Sequence, residues 1–291
     1  MDGLWRGMLY PARLPAFRRM PPPLELEDRV RWFWIPEWNL APGVVSRQEI
    51  LPFPALNFVV QPEGVTLSGP ATRRSHRDLS GHGWAFGVLL RPAAVPAFTS
   101  DPGALRDLEI DFPAPDLHAA VVAAMSPAGG GEMNEGKADD DGGAGDDGER
   151  NSGDTRHARA AAVVVRWLEV RVPVPAAEAQ LANSLEDLIR TDPSLTRVDE
   201  AAERLGVSAR TLQRLARRHV GLPPLAMIRR YRLQEAAERL RTEPGAVIAD
   251  IAAELGYADH AHLAAAFREV LGFTPSGYRR SAGPGTAQTA G

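Results

Sequence analysis

One pattern occurs twice in the C-terminal third of the sequence, about fifty residues apart, and this repeat restricts the folds open to that region. Val198–Leu215 and Ile248–Phe267 each read as a short helix, a glycine turn and a second helix. Two helices joined by a turn of three or four residues form a helix-turn-helix unit, whose second helix can enter the major groove of DNA. The sequence therefore predicts two such units in an α-helical C-terminal domain.

The first unit carries start and stop signals for both of its helices. Thr196 and Asp199 resemble a capping box, which predicts a first helix from about Arg197 to Leu205. Gly206 follows and supplies the positive φ that ends a helix. Ser208 is placed to cap the next helix with its hydroxyl. The turn between the helices is therefore short, as a helix-turn-helix unit requires.

The second helix of this unit presents a row of long hydrogen-bond donors. Arg210, Gln213, Arg214 and Arg217 are spaced so that they share one helix face. Arginine can pair with guanine and glutamine with adenine in the major groove, although a solvated cationic face is the alternative interpretation. We expect the first three to read bases, and contacts to the DNA backbone from Ser208, Arg217 and Arg218.

The second unit repeats this plan with a different outward face. Gly256 forms its turn and Asp259 caps its second helix, and the face outside the core is small and mostly apolar. Alanine can touch a thymine methyl group but cannot hydrogen-bond a base edge. We therefore expect this unit to position the protein more than to read bases, with backbone contacts from Asp259 and Arg268. The outward residues are His260, Ala261, Ala264 and Ala265.

The segment between the units, Leu222–Arg241, is predicted to be one helix that begins near Pro223 and Pro224. Twenty residues of helix span about 30 Å, and successive major grooves on one DNA face lie roughly 34 Å apart. We therefore expect one chain to place both units in adjacent major grooves of double-stranded DNA.

Charge and composition agree with this division. The net charge of −4 conceals an excess of arginine over acidic residues from residue 195 onward, as a nucleic-acid surface requires. The absence of cysteine excludes disulfides, thiolate metal sites and cysteine nucleophiles. The apolar runs are too short for a membrane span and the N-terminus does not resemble a secretory signal, so we expect a cytoplasmic protein without a membrane partner.

The regions before the repeat predict a two-domain α+β protein. Short apolar or β-branched segments between turns indicate a small β-sandwich or barrel in residues 1–125, after an irregular, proline-rich stretch over residues 1–30. Residues 126–156 are rich in glycine and acids, and we expect them to be disordered. Residues 157–194 have helical periodicity and are predicted to bridge two domains. The DNA-binding domain covers 195–281, and a flexible tail 282–291.

The β-rich region also offers a candidate ligand pocket. Aromatic residues cluster on its predicted strands and can line an apolar cavity for a small effector, although ordinary core packing is the alternative. His76, His82 and His118 lack the close spacing of a metal-binding pair, so we expect no metal and no cofactor. A small-molecule enzyme or scavenger with a regulatory helical tail is the rival interpretation. The candidate pocket residues are Trp32, Trp34, Trp38, Trp84 and Phe86.

Taken together, the two units, their spacing and the ending Gly272–Arg280 resemble the DNA-binding domain of the AraC/XylS family of transcription regulators. The resemblance implies base reading by Arg210, Gln213 and Arg214 in the first unit, and by the four outward residues in the second. It implies RNA polymerase and a second copy of the chain as further partners, and no enzymatic activity. The N-terminal region is similar to the cupin-like sensory domain of some of these regulators, through Val30–Trp34, Leu51–Val60, Leu67–Pro70 and Gly87–Ala94.

Overall fold

The computed structural model describes residues 16–126 and 145–282, with the side chains of 145–152 excepted. In this part of the chain an N-terminal β-sheet domain is followed by helices, as the α+β interpretation predicted. The predicted irregular stretch over residues 1–30 is wrong in part, because residues 16–20 form a strand that pairs with the next one. Residues 1–15 lie outside the described region.

All strand pairs in the N-terminal domain are antiparallel. The main sheet has the order β1-β2-β8-β4-β5-β9, with β7 added beside β2, and β3 and β6 form a separate two-stranded ribbon. Alternation of side chains along each strand gives the sheet two distinct faces. The strands are β1 (Ala16–Met20), β2 (Val30–Asn39), β3 (Val45–Ile50), β4 (Asn57–Gln61), β5 (Gly64–Ser68), β6 (Ser75–Ser80), β7 (His82–Trp84), β8 (Phe86–Leu90) and β9 (Glu109–Asp111).

Two helices, α1 (Pro115–Met125) and α2 (Gly145–Arg171), cover one face of the main sheet. Ala160, Val164 and Leu168 of α2 are completely buried in the same core as the strands. Trp167 stacks on Phe58 of β4, with ring centroids 5.1 Å apart. The first part of the predicted helical bridge therefore belongs to the N-terminal domain.

The start of α2 corrects the prediction of disorder for residues 126–156. Residues 145–156 are helical, whereas residues 127–144 lie outside the described region. Helix propagation is favourable once a nucleus exists, so the packed part of α2 can extend the helix into a polar sequence. Two contacts fasten this extension to the sheet: Arg18 with Asp154, and Arg156 with Glu37 at 3.6 Å.

The remaining helices form two cores that are joined by α6. One core contains residues of α3, α4, α5 and the first half of α6, and the other contains residues of the second half of α6, α7, α8 and α9. The tail predicted from residue 282 begins at the last residue of α9, and 283–291 lie outside the described region. The helices are α3 (Ala177–Thr191), α4 (Val198–Arg204), α5 (Ala209–His219), α6 (Pro224–Thr242), α7 (Ile248–Glu254), α8 (His260–Leu271) and α9 (Pro275–Ala282).

An ion network around the buried Glu186 attaches α3 to the sheet. Arg31 of β2 donates to Glu186 at 2.6 Å and to Asp187 at 2.8 Å, and Arg91 also pairs with Asp187. Glu186 accepts a second hydrogen bond from the Tyr231 hydroxyl of α6 at 2.9 Å. Burial alone would lower the pKa of Arg31, but Glu186 and Asp187 raise it above its ordinary value. The network therefore joins the β-sheet, α3 and α6 through charges that each have a partner.

Candidate nucleic-acid interface and ligand cavity

The first unit, α4 and α5, has the geometry that its glycine and serine predicted. Gly206 has a φ of 66°, and the Ser208 hydroxyl accepts from the Thr211 amide at 3.1 Å. The predicted capping box is wrong, because α4 begins after Arg197 and its N-cap has no side-chain hydrogen bond. Thr196 therefore lies one position too early to cap the helix.

The outward face of α5 is exposed as a continuous polar surface. Leu212 and Leu215 are fully buried and hold the helix on α4 and α6. The residues predicted to meet DNA all lie on the exposed side of the helix. They are Arg210, Gln213, Arg214, Arg217 and Arg218.

A carboxylate of the neighbouring helix contacts this face. Glu178, in the first turn of α3, accepts from Arg214 at 3.1 Å and from Arg218 at 3.3 Å. Both arginine side chains remain more than half exposed, so water weakens these ion pairs. Sequence reasoning missed this contact because Glu178 lies more than thirty residues away in the chain.

The second unit, α7 and α8, repeats the turn and the cap. Gly256 has a φ of 67°, and the Asp259 carboxylate accepts from the His262 amide at 2.7 Å. The outward side of α8 is exposed at His260, Ala261, Ala265 and Arg268. This side offers fewer donors than the face of α5.

Ala264 corrects the predicted outward face of α8. Its side chain is only 5% exposed, so it does not belong to a surface that could touch a base. Its neighbour Leu263 and Phe267, three residues further on, are fully buried. Ala264 lies at the edge of this buried stripe, where a small residue lets the helix approach its neighbours closely. The candidate base-reading residues of the second unit are thus reduced to three.

A cavity of about 780 Å³ lies between the main sheet and the β3–β6 ribbon. Its volume is within the range usual for small-molecule sites. Trp32, Trp34 and Trp38 of β2 line it, as predicted. Trp84 and Phe86 do not line it: Phe86 is fully buried in the core on the other side of the sheet and Trp84 packs against that core. Side chains alternate along a strand, so the intervening Ala85 faces the cavity instead.

Two of the tryptophans lie over glycines of the neighbouring strands. Trp34 is paired with Gly87 and Trp38 with Gly83, and a Cβ atom at either glycine would overlap the indole ring. The indole nitrogen of Trp34 donates to the Asn57 side chain and that of Trp38 to the Ser80 carbonyl, each at 3.2 Å. The rings therefore form an aromatic floor whose shape depends on both glycines.

The described residues contain neither a membrane-spanning helix nor a cluster of metal ligands. No helix among them is long and apolar enough to cross a membrane. Within residues 16–126 and 145–282, no group of three or more histidine, aspartate or glutamate side chains is arranged to hold a metal ion.

Comparison with known families separates the same two regions. Residues 201–281 match a family model described as a helix-turn-helix domain, and residues 18–111 match a domain of unknown function, DUF6597. A Streptomyces lividans protein named as an AraC-like transcription regulator is 36% identical over 104 residues, which are 36% of this chain and 34% of that protein. The C-terminal region is an AraC-type helix-turn-helix domain.

Two further comparisons concern the AraC-type domain and the whole chain. The transcriptional activator AarP of Providencia stuartii is 39% identical over 84 residues, 29% of this chain and 62% of that protein. The structure of ToxT from Vibrio cholerae O395 aligns with 93% of this chain and 97% of its own, at 12% identity and a TM-score of 0.41. The alignments to the Streptomyces relatives span about a third of those proteins.

The cavity wall touches the second unit of the AraC-type domain. Leu51, which lines the cavity, is buried in the core of that unit. The Arg74 amide donates to the carbonyl of Val270 at 2.9 Å, and the Gln234 side chain of α6 donates to the Pro52 carbonyl at 2.8 Å. These contacts bring the cavity and α8 together, although their residues are far apart in the sequence.

Proposed function

We propose that this protein is a transcription regulator that binds double-stranded DNA through its AraC-type domain and responds to a small molecule held in the N-terminal cavity. The exposed face of α5 carries this proposal, because it combines long donors with a tight turn and a capped start. Five donors per guanidinium, in a planar fork, suit base edges and phosphates in a groove.

The two units have unequal tasks in this proposal. Arg210, Gln213 and Arg214 supply the hydrogen bonds that distinguish bases, and the first unit is the reader. The second unit is the clamp, since Asp259 holds the helix start in place and Arg268 supplies a charge for phosphate. Its exposed His260, Ala261 and Ala265 add little base discrimination.

The length of α6 is compatible with simultaneous binding by both units. Its 19 residues span about 28 Å at 1.5 Å per residue. Successive major grooves on one face of DNA are about 34 Å apart, which is close to this length. One chain can therefore place both units in adjacent major grooves. RNA polymerase and a second copy of the chain complete the set of proposed partners.

Control by the cavity follows from the contacts of its wall. Leu51, Pro52 and Arg74 connect the cavity directly to α6 and to the second unit. A ligand that fits one arrangement of these contacts better than another shifts the population toward that arrangement. The affinity of the second unit for DNA changes with this shift in population.

The reader is tested by selecting bound duplexes from a random pool at stated salt. Wild-type protein should enrich one sequence, and Arg214→Ala should lose about 1–3 kcal/mol on that sequence and relax the preference at one base pair. Arg166→Ala, an exposed arginine on α2, is the matched control and should bind as wild type does. An unchanged preference in Arg214→Ala would refute its reading role, and no enriched sequence would refute the function.

The clamp is tested by Arg268→Ala. This variant should bind every duplex more weakly by a similar factor, and the slope of log affinity against log salt should decrease by about 1, as for a lost phosphate contact. The preferred sequence should stay the same. A change in base preference at one position would show that the second unit also reads DNA.

A further inference from the structure

The sheet face that lines the cavity changes in character from one side to the other. Five residues form a row across β2, β8, β4, β5 and β9, because each is paired with the next on the neighbouring strand. All five line the cavity. The row begins at an aromatic end on β2 and finishes at a polar end on β9. Its members, in order, are Trp32, Leu89, Asn57, Ser68 and Glu109.

Asn57 lies in the middle of this row, and its amide has a fixed orientation. The indole Nε1–H of Trp34 donates to the Asn57 Oδ1 at 3.2 Å. An indole nitrogen can only donate, so the amide atom that faces Trp34 must be the oxygen. The Asn57 Nδ2 is the other arm of the amide, and it has no hydrogen-bond partner within residues 16–126 and 145–282. Asn57 therefore presents a hydrogen-bond donor beside the aromatic floor.

The charges at the polar end of the row are paired with each other. Glu109 accepts from the Ser68 hydroxyl at 2.8 Å and from Arg77 of β6 at 2.7 Å. A charged ligand group beside Asn57 would have to compete with this ion pair, because a buried charge without a partner is costly. An uncharged acceptor needs only the Asn57 amide. The polar end therefore favours an uncharged ligand.

We propose that the cavity binds a flat, uncharged aromatic ligand whose carbonyl oxygen accepts from the Asn57 Nδ2 while its rings lie on the indoles of Trp34 and Trp38. A Cβ atom at Gly87 would lie 1.9 Å from the Trp34 ring, and one at Gly83 would lie 2.4 Å from the Trp38 ring. Both indoles thus lie against the backbone of a neighbouring strand, where flat rings can stack on them with an offset. Aromatic ketones and lactams combine these features. This inference rests on the proposed role of the cavity as the effector site.

The test uses the full chain and three probes with one ring system, measured by isothermal titration calorimetry without DNA: 2-hydroxy-9-fluorenone, 2-hydroxyfluorene, which lacks the carbonyl, and 9-oxofluorene-2-carboxylate, which carries a charge. We expect the hydroxyfluorenone to bind at least about fivefold more tightly than the hydroxyfluorene, as one hydrogen bond implies. It should also bind more tightly than the carboxylate. Equal binding of the first two probes, equal or tighter binding of the carboxylate, or no binding of any probe would overturn the inference.

Variants assign the carbonyl preference to Asn57. Asn57→Asp keeps an oxygen for Trp34 but replaces the donor with an acceptor, so it should weaken hydroxyfluorenone binding at least about fivefold and leave hydroxyfluorene binding within about threefold. Asn57→Val removes the donor without adding a charge and should also abolish the preference. Gln61→Glu makes the same amide-to-carboxylate change on the same strand and in the same lining, and this matched control should keep the preference. An unchanged preference in Asn57→Asp or Asn57→Val would also overturn the inference.

A separate mobility-shift assay of unliganded protein on the selected duplex reports DNA binding. Its failure would refute the regulator, whereas a missing carbonyl preference refutes only the ligand class.

Discussion

The two helix-turn-helix units share their internal construction and differ in what surrounds them. Both have a turn glycine with nearly the same φ, 66° at Gly206 and 67° at Gly256, and both have a side-chain cap on the second helix. In each, an alanine at the helix crossing, Ala201 or Ala252, is fully buried. The motif therefore specifies its own geometry but leaves the outward face free to vary.

The attachments of the two units to the N-terminal domain also differ. Eleven residues after its cap, the first unit has His219, whose Nδ1 lies 3.0 Å from the carbonyl oxygen of Pro92. The equivalent residue of the second unit is Val270, whose carbonyl accepts from the Arg74 amide. The first unit thus meets the N-terminal domain through a titratable side chain, and the second through backbone at the cavity wall. If the cavity holds an effector as proposed, its influence on DNA binding should differ between the two units.

The largest effect, a loss of stability, is expected at the Glu186 network, which holds α3 and the first unit on the N-terminal domain. Glu186→Ala should lower the free energy of unfolding by about 3–5 kcal/mol, because it removes one of the two carboxylates that pair with Arg31 and takes the acceptor from the buried Tyr231 hydroxyl. Urea denaturation measures this loss. Glu169→Ala, an exposed carboxylate on α2, is the control and should change stability by less than about 0.5 kcal/mol. A loss below about 1 kcal/mol in Glu186→Ala would show that the network does not fasten the unit.

The turn glycines offer a matched pair of substitutions. Gly206→Ala should cost about 1–2 kcal/mol from positive φ alone, since a Cβ there meets open space. Gly256→Ala should cost more, because its Cβ would lie 2.5 Å from the Thr196 methyl carbon. Adding Thr196→Ser to Gly256→Ala should bring the cost down to that of Gly206→Ala. Thermal unfolding of the four proteins checks the order, and equal costs for the two single variants would contradict the close contact of the two units.

The contact of His219 should make the attachment of the first unit sensitive to pH. Burial lowers the pKa of His219, with contributions from Arg218 and Arg214 in the same direction, while Glu178 and the Pro92 carbonyl act the other way. The lowered pKa means that the unfolded chain takes up the proton first. This contribution to stability is present above the ordinary histidine pKa, about 6.5, and is lost as the pH falls through the folded value.

The measurement compares wild type with His219→Gln, which stays neutral. Between about pH 7.5 and about pH 5.5, a span that includes the ordinary histidine value, wild type should lose more thermal stability than the variant does. Parallel curves would show that the contact does not titrate in this range.

The smallest effect, a change in DNA affinity, is expected at the arginine-rich face of α5. Glu178→Gln should release Arg214 and Arg218 for DNA and tighten binding by up to about threefold at low salt, as an exposed ion pair implies. The gain should shrink at high salt because exposed charges are screened. Glu169→Gln is the control. Weaker binding by Glu178→Gln would mean that the carboxylate orients the arginines for DNA rather than competing with it.

Local chemistry made much of the AraC-type domain predictable. Positive φ at a glycine and a hydroxyl or carboxylate at a helix start act within a few residues, so Gly206, Ser208, Gly256 and Asp259 behave as expected. The capping box failed because the helix start moved by one residue. Local rules therefore predict that a helix starts near a given position but do not give its exact first residue.

The wrong predictions concern residues whose burial or secondary structure depends on contacts outside their own segment. Helical spacing alone predicted that Ala264 faces outward, but it lies at the edge of the stripe that faces the core. Trp84 and Phe86 belong to the sheet face opposite to Trp32 and Trp34, which depends on strand pairing. Residues 145–156 are polar yet helical, because the packed remainder of α2 extends into them. Each outcome needs the partner surface, which the local pattern does not contain.

The sequence by itself determined the two units, their caps and turns, and the arginine-rich face of α5, because these depend on contacts within a turn or two of helix. Only the tertiary structure decided which tryptophans form the cavity floor, that Glu178 contacts the arginine-rich face of α5, and that Leu51 and Arg74 join the cavity to the second unit. These contacts link residues distant in the chain, and the packing of complete elements selects them rather than any local preference.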